Sequence, residues 1–386
     1  MRARPRPLSL FRLALWLGTI GFGGGFAVSQ RIRKKFVEDE RWMTDEEFVE
    51  RFAVSSALPG TTATNLLSML GQRFAGLPGA AMAAVGFILP SVALMIAFGA
   101  LYDHVRGVRV LASFLDGMSY ATVGVVAAVA VDMRRSALRT RFDLFIAVAT
   151  VIVLALGALT LLEVIAIWGV LGIAIYPARP PADGEPSPAA KVAPPPPPSS
   201  GRLQAFVPGL FVAASGSLTL FYVFARIGIA TFGGGFAMIP PIEHEVVTVN
   251  RWLDAGAFND AMVLGQVTPG PIAIAATFIG YRVHGFVGAL AATLGIFGPP
   301  FALCVVVGRS LAAFKASTVV QRFLRGVSPA VVGVIAAASI SLGRTSLHSV
   351  WSVILAAATF VLLAGIPKLS PLLPLALAGA ANAIHS

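Results

Sequence analysis

The chain has 386 residues, of which 56% are hydrophobic and 12% charged, with a formal net charge of +11 at pH 7. That charged share is about half the usual globular proportion and excludes an ordinary soluble domain, while a single cysteine, Cys304, excludes a disulfide framework and a Cys-x-x-Cys metal or redox pair. The basic residues stand in short clusters at the ends of apolar segments, so they read as membrane-topology signals and not as a nucleic-acid surface.

At the N-terminus Arg2, Arg4, Arg6 and Arg12 flank a short apolar run without Ala-x-Ala cleavage chemistry, so no signal peptide is read there. A helix starting near Leu10-Phe11 meets Gly23, Gly24 and Gly25 after about half a membrane thickness. Three glycines interrupt a helix, and the free N–H groups and positive dipole end of the next half-helix suit an anion. Close helix packing through small residues is the competing reading. A dinucleotide loop is excluded, because Gly21-Phe22-Gly23-Gly24-Gly25-Phe26 lacks the sixth-position glycine and strand–helix alternation.

An amphipathic stretch with Asp45, Glu46, Glu47, Glu50 and Arg51 then leads to Pro59-Gly60. Proline suits a first helical turn, so a second half-helix is expected here, with Thr61, Thr62, Thr64 and Asn65 as donors to an oxyanion. Threonines that bond back to their own helix are the alternative. Arg73 follows, either drawing anions or snorkelling to an interface. Apolar stretches at 78–102, 108–131 and 142–176 approach the ~20 residues of a spanning helix. Residues 178–208, with Pro180, Pro181, Pro186, Pro188 and the run Pro194 to Pro198, read as an extended linker.

Beyond the linker the chain repeats. Phe22 to Ala27 recurs as Phe232 to Ala237, with Gly233, Gly234 and Gly235 as the glycine triplet; Arg41-Trp42 recurs as Arg251-Trp252 and Pro59-Gly60 as Pro269-Gly270, all at an offset of 210 (232 − 22). After a one-residue deletion the offset is 209 (280 − 71): Gly71 meets Gly280, Arg73 meets Arg282, Gly86 meets Gly295 and Pro90 meets Pro299. Further apolar stretches lie at 286–307, 327–342 and 347–385. The expected fold is an all-α polytopic membrane protein of about 10–12 segments including broken half-helices, with repeats at 1–177 and 209–386 around the 178–208 linker. Glu243, His244 and Glu245 cannot all face one point of a helix; a solvated helix end is expected, with proton coupling as the alternative.

Charge bias sets the orientation. Residues 31–51 hold Arg31, Arg33, Lys34, Lys35, Arg41 and Arg51, whereas 241–261 holds only Arg251; residues 134–141 hold four arginines where the matching stretch keeps only Arg344. Positive-inside counting therefore predicts an inverted-topology repeat, with an odd number of crossings supplied by 142–176 or 205–215.

At these residues the chain resembles the chromate ion transporter family, in its long two-domain form. The second half carries the resemblance in Phe232 to Ala237, Trp252, Phe258, Gln266-x-x-Pro269-Gly270-Pro271, Phe278-Ile279-Gly280-Tyr281 and Gly285-x-x-Gly288. The first half carries it in Glu38 to Trp42, Glu47-Phe48, Leu58-Pro59-Gly60 and Phe87 to Ser91, with departures at Phe26, Thr61 and Asn65, where the family commonly has proline, proline and glutamine. The resemblance implies a multi-pass carrier of the bacterial inner membrane, not an enzyme, that exports chromate, with sulfate or another oxyanion as the alternative. No catalytic residue, metal or cofactor is expected. Expected partners are the chromate or sulfate anion, the lipid bilayer and, as an option, a second copy in a homodimer, without nucleic acid. The substrate site would be formed by Gly23, Gly24, Gly25, Pro59, Gly60, Thr61, Thr62, Asn65, Arg73, Gly233, Gly234, Gly235, Gln266, Pro269, Gly270, Pro271, Tyr281 and Arg282.

Overall fold

A computed structural model describes residues 5–22, 24–177, 210–366 and 369–385; the expected 178–208 linker and Gly23 lie outside them. Among the described residues the regular structure is helical, with no strand. The first half runs α1 (Pro7–Ile20), α2 (Gly24–Arg33), α3 (Asp45–Ala57), α4 (Thr62–Gly107), α5 (Arg109–Ala137), α6 (Arg141–Ala155) and α7 (Leu161–Ile175). The second runs α8 (Leu210–Ala230), α9 (Ile239–Glu243), α10 (Ala255–Val267), α11 (Ala275–Arg309), α12 (Leu311–Ala316), α13 (Thr318–Ser346), α14 (Val350–Gly365) and α15 (Leu372–His385). A π-helical turn follows α2 at Lys34–Asp39 and α9 at His244–Val249, and short 3-10 turns at Gly235–Met238 and Ile272–Ile274 precede α9 and α11.

The repeat reaches the local chemistry that starts and ends these elements. Thr44 caps α3 by accepting from the Glu47 N–H, and Asp254, 210 residues on, caps α10 from Ala257. Thr140 with Asp143 and Ser349 with Ser352 form capping boxes at equivalent starts of α6 and α14. Arg41 and Arg251 sit in the left-handed region, φ 53° and 52°. That turn lets the Trp42 and Trp252 N–H groups donate back to Phe36 and Val246, which gives the recurring Arg-Trp pair a backbone reason.

Neither α4 nor α11 is straight. Ala75-Gly76 and His284-Gly285 leave helical geometry, Gly76 at φ 63° and Gly285 at φ 58°. In a straight helix residues eight apart are separated by about 12 Å. Here a Cβ on Gly71 would collide with the Gly79 carbonyl, and one on Gly280 with that of Gly288. The chain doubles back at each point. The first arm of α4 therefore pairs with α3 as a hairpin whose tip is Pro59-Gly60 and whose base is joined by Arg73 Nη2 and Glu47 Oε1 at 3.3 Å. By the same build, α10 and the first arm of α11 form a hairpin with Pro269-Gly270 at its tip.

The two hairpins enter from opposite ends of the long arm of α4. That arm leaves the first hairpin's base, meets the second tip at Ser91, whose Oγ donates to the Pro269 carbonyl at 2.5 Å, and reaches the second base at Asp103, which accepts from Arg282 at 2.9 Å. The long arm of α11 runs the other way, packing Pro300 on Gly60 and Gly308 on Gln72. We call the first hairpin's base the near end and the second's the far end. The remaining packing is reciprocal: α1 lies on α4 as α8 lies on α11, and α14 and α15 lie on α5 as α6 and α7 lie on α13. The pairs α4–α11 and α5–α13 lie across the pseudo-two-fold.

Among the described residues four helical stretches, Thr62–Gly107, Arg109–Arg134, Ile272–Arg309 and Thr318–Ser346, are long and apolar enough to cross a membrane, and five shorter apolar helices accompany them. Large apolar side chains on the outer faces of α6 and α14, such as Leu144, Phe145, Val350 and Val361, are exposed, as lipid-facing surface requires. The hairpin of α6 and α7 closes on itself, since the Tyr176 hydroxyl donates to Asp143 in the first turn of α6. The stretch 142–176 thus returns to the end it left, and Tyr176 takes the Arg322 Nε hydrogen bond near the start of α13. The second half is picked up at the far end, where Gly216 packs on His284.

Candidate functional site

The tips carry the arrangement that suggests a site. The Gly60 N–H donates to the Thr231 carbonyl at 2.8 Å, and the Gly270 N–H donates to the Gly21 carbonyl at 3.0 Å. Thr231 and Gly21 are equivalent positions, each separated from a glycine triplet by one phenylalanine. So the Pro-Gly turn of each half is joined to the glycine break of the other, and the two kinds of breaker become one construction at mid-depth. Both turns need glycine: Gly60 has φ 96° and Gly270 φ 117°. In the second triplet Gly233 and Gly234 have φ 83° and 98°, and a Cβ on Gly234 would meet nothing within 4 Å. That backbone faces open space. In the first half Gly24 and Gly25 open α2.

Polar groups gather at the tips. Helix α4 begins at Thr62 with no side-chain cap on its first N–H groups, the kind of terminus to which an anion is attracted. Thr61 is buried and donates to Thr64 at 2.9 Å. Asn65 Nδ2 donates to the Pro59 carbonyl at 2.9 Å and to Ser55 at 3.3 Å, bracing its own tip. At the second tip Pro271 precedes the 3-10 turn, and Gln266 Nε2 donates to Thr122 Oγ1 at 3.2 Å. Gln266 Oε1 and Thr268 Oγ1 are buried there without a hydrogen-bond partner, a state that native structures rarely leave unanswered by water or ligand. Thr122, Thr231, Thr268, Ser91 and Pro300 belong to this neighbourhood although sequence reasoning did not select them. The coincidence of Pro90 with Pro299 was the available signal for the last two.

Arg73, Tyr281 and Arg282 are not at the tips. They stand at the hairpin bases, about 20 Å of helix away. Arg282 is held by both Asp103 oxygens at 2.9 Å and lies over the Tyr102 ring at 5.0 Å, while Tyr281 packs against Gly99. The two ends differ. At the near end Arg51, Arg73 and Arg309 line a cavity of about 280 Å³ with Gln72. At the far end the positions equivalent to Arg51 and Arg309 are Ala261 and Ala100. There the fully buried Asp260 accepts from Arg106 Nε at 2.6 Å and Nη2 at 2.5 Å and from the Tyr102 hydroxyl at 2.5 Å, and Arg106 also holds Asp116 at 2.7 Å. The equivalent near-end pair, Lys315 and Glu50 at 3.0 Å, is substantially exposed.

The doubled geometry has a counterpart in known proteins, for the family described as Chromate transporter matches this chain twice, over residues 8–175 and over residues 218–383. The chain belongs to the chromate transporter family. It is similar to a chromate transport protein of Cupriavidus metallidurans, 30% identical over 376 residues that cover 95% of this chain and 90% of that one. A chromate transport protein of Pseudomonas aeruginosa is 31% identical over 362 residues, 90% of this chain and 84% of its own. An uncharacterized transporter of Bacillus subtilis, YwrB, is 30% identical over 122 residues, 32% of this chain. No solved structure matches. In this member of the chromate transporter family, both matched regions contain a glycine triplet, a Pro-Gly tip and a doubled-back helix, and the cross-half contacts bring the first two together. It is a multi-pass membrane protein.

Proposed function

We propose that this protein is a secondary transporter that exports chromate across the bacterial inner membrane, driven by the membrane potential or an ion gradient. The observation that carries the reading is the reciprocal bonding of each Pro-Gly tip to the glycine break of the other half. It sets uncapped helix starts and hydroxyls around one mid-depth location, reached by chain that enters from opposite ends. Backbone N–H groups suit a tetrahedral dianion, since they stabilise charge without carrying a proton that could be lost. By the positive-inside rule the arginine-rich near end is cytoplasmic. Its cavity then collects anions from the cell, while the Arg106–Asp260 tie closes the outer end. A dianion leaving a negative-inside cell gains about 4.6 kcal/mol per 100 mV, twice the value for one charge, so the potential alone supports export.

Everted vesicles test this directly. They should accumulate chromate when energised, and vesicles with the empty membrane should not; absence of protein-dependent accumulation would overturn the reading. Chromate and sulfate accept the same hydrogen bonds, so sulfate is the competitor to include, and uptake of sulfate with exclusion of chromate would reassign the substrate.

Two variants probe the two depths. Thr62→Ala removes a hydroxyl at the uncapped start of α4, and losing one hydrogen bond to a charged group raises half-saturation about ten- to a hundredfold. Unchanged half-saturation at matched expression would remove Thr62 from the site. Arg51→Gln with Arg309→Gln should instead lower the initial rate at low chromate and flatten its dependence on ionic strength, since steering by surface charge is screened by salt. A double variant with the wild-type salt profile would deny the cavity its collecting role.

A further inference from the structure

A second cavity, of about 280 Å³, lies between α8, α9, α13 and the turn joining α6 to α7. Glu243 reaches into it from the last position of α9, where the chain passes into a π-helical turn, a feature frequent at functional sites. The side chain is more than nine-tenths buried; Ser341 hydrogen-bonds its carboxyl, and Oε2 has no partner. An unpaired carboxylate at such depth is strongly disfavoured in its charged form.

The repeat shows that this is a departure from the scaffold. The equivalent residue in the first half is Arg33, satisfied by Asp45 at 2.6 Å and Glu38 at 2.8 Å. In the second half the positions of Asp45 and Glu38 are Ala255 and Thr248, and Thr248 lines the cavity. Exchange of a paired arginine for a buried acid, with both ion-pair partners removed, is not a packing requirement of the fold.

The charged groups around the cavity leave the Glu243 carboxyl alone. From α7, Glu163 lines the cavity at an exposed position and is engaged by the N–H and hydroxyl of Thr160. From α8, Arg226 pairs with Glu245 at 3.7 Å. His244 beside it and Arg344 from α13 are exposed. The α8 wall runs through Ile227 and Ala230 to Thr231, whose carbonyl holds the Gly60 tip. Charge at Glu243 is therefore placed along one short stretch of α8 from the proposed anion location.

We propose that the Glu243 carboxyl is a proton-binding site linked to the oxyanion site, a step that rests on the transport reading above. A proton from cavity water adds to the carboxylate and later returns to water, with no other bond changed. A carboxylate and a dianion in the same low-dielectric interior repel, so protonation of Glu243 favours anion binding, and by reciprocity anion binding favours proton uptake.

In purified wild-type protein in weak buffer, adding chromate or sulfate should draw protons from a pH indicator, and Glu243→Gln should show no such uptake while still binding the anion. In vesicles the wild-type half-saturation for chromate should rise about tenfold more than that of Glu243→Gln from about pH 6 to about pH 8, a coupling of ordinary size. Chromate's own protonation is common to both proteins and cancels in the comparison. His244→Ala should keep the wild-type profile. Proton uptake equal in wild type and Glu243→Gln, a pH profile lost in His244→Ala, or dependence on sodium in place of pH would each overturn the proposal. Wild-type protein that neither binds nor moves an oxyanion would instead overturn the transport reading itself.

Discussion

Gly270→Val and Gly60→Val should each abolish transport while the protein still inserts and accumulates. The two turns hold φ 117° and 96°, where an L-residue costs roughly 1–2 kcal/mol and a β-branched one is an outlier. Space forbids it as well. A Cβ on Gly60 would lie 2.6 Å from the Pro300 ring, which has no rotamer to move into, and one on Gly270 would collide with Ser91 Oγ, already committed to Pro269. The tip must shift by about an ångström, and displacement on that scale costs around a hundredfold where function depends on placed groups. Gly298→Ala is the control: it lies in the same α11, and an added Cβ there meets nothing within 4 Å. Chromate accumulation in vesicles at matched protein levels decides the matter. Activity in either valine variant within a few-fold of wild type would show that the tip contact is not needed.

The second large effect is on stability. Arg106→Met strands a fully buried Asp260 carboxylate beside Tyr102, and breaking such a pair from one side costs about 3–5 kcal/mol. Replacing both partners, Arg106→Met with Asp260→Leu, should recover most of that loss, because a buried pair exchanged for apolar side chains is near neutral. Lys315→Met at the equivalent near-end position should change stability by less than about 1 kcal/mol, since both partners there are well exposed. Unfolding midpoints in one detergent give the ranking. If Lys315→Met were as damaging as Arg106→Met, the two ends would not differ as described.

The fold was largely legible because duplication marked it. Glycines and prolines recurring at fixed offsets, and arginines reversing sides between halves, carried information that apolar residues cannot. The Gly71–Gly79 and Gly280–Gly288 crossings were half visible: the recurrence of Gly71 as Gly280 was plain, but nothing local says that a helix of apolar residues doubles back. The 142–176 stretch was ambiguous for a related reason, since length alone does not tell a crossing from the closed hairpin that Tyr176 and Asp143 make. At the candidate site, backbone breakers were found and their partners were not. Thr231 and Ser91 are ordinary residues in sequence, and they acquire their place only through contacts between halves. Arg73 and Arg282 share the repeat with the tips yet sit a hairpin's length away, because recurrence marks shared architecture and not shared depth.

Each Pro-Gly turn finds its acceptor in the other half, so neither half completes itself. A protein half this long, built on the same plan, would need two oppositely inserted copies in the bilayer to make both contacts. Joining two copies in one chain removes that constraint. One end is then free to collect Arg51 and Arg309, one from each half, while the other end has alanine at the equivalent positions, and one half is free to place an acid where the other keeps Arg33. The symmetry that pairs the tips is thereby released from having to treat its two ends alike.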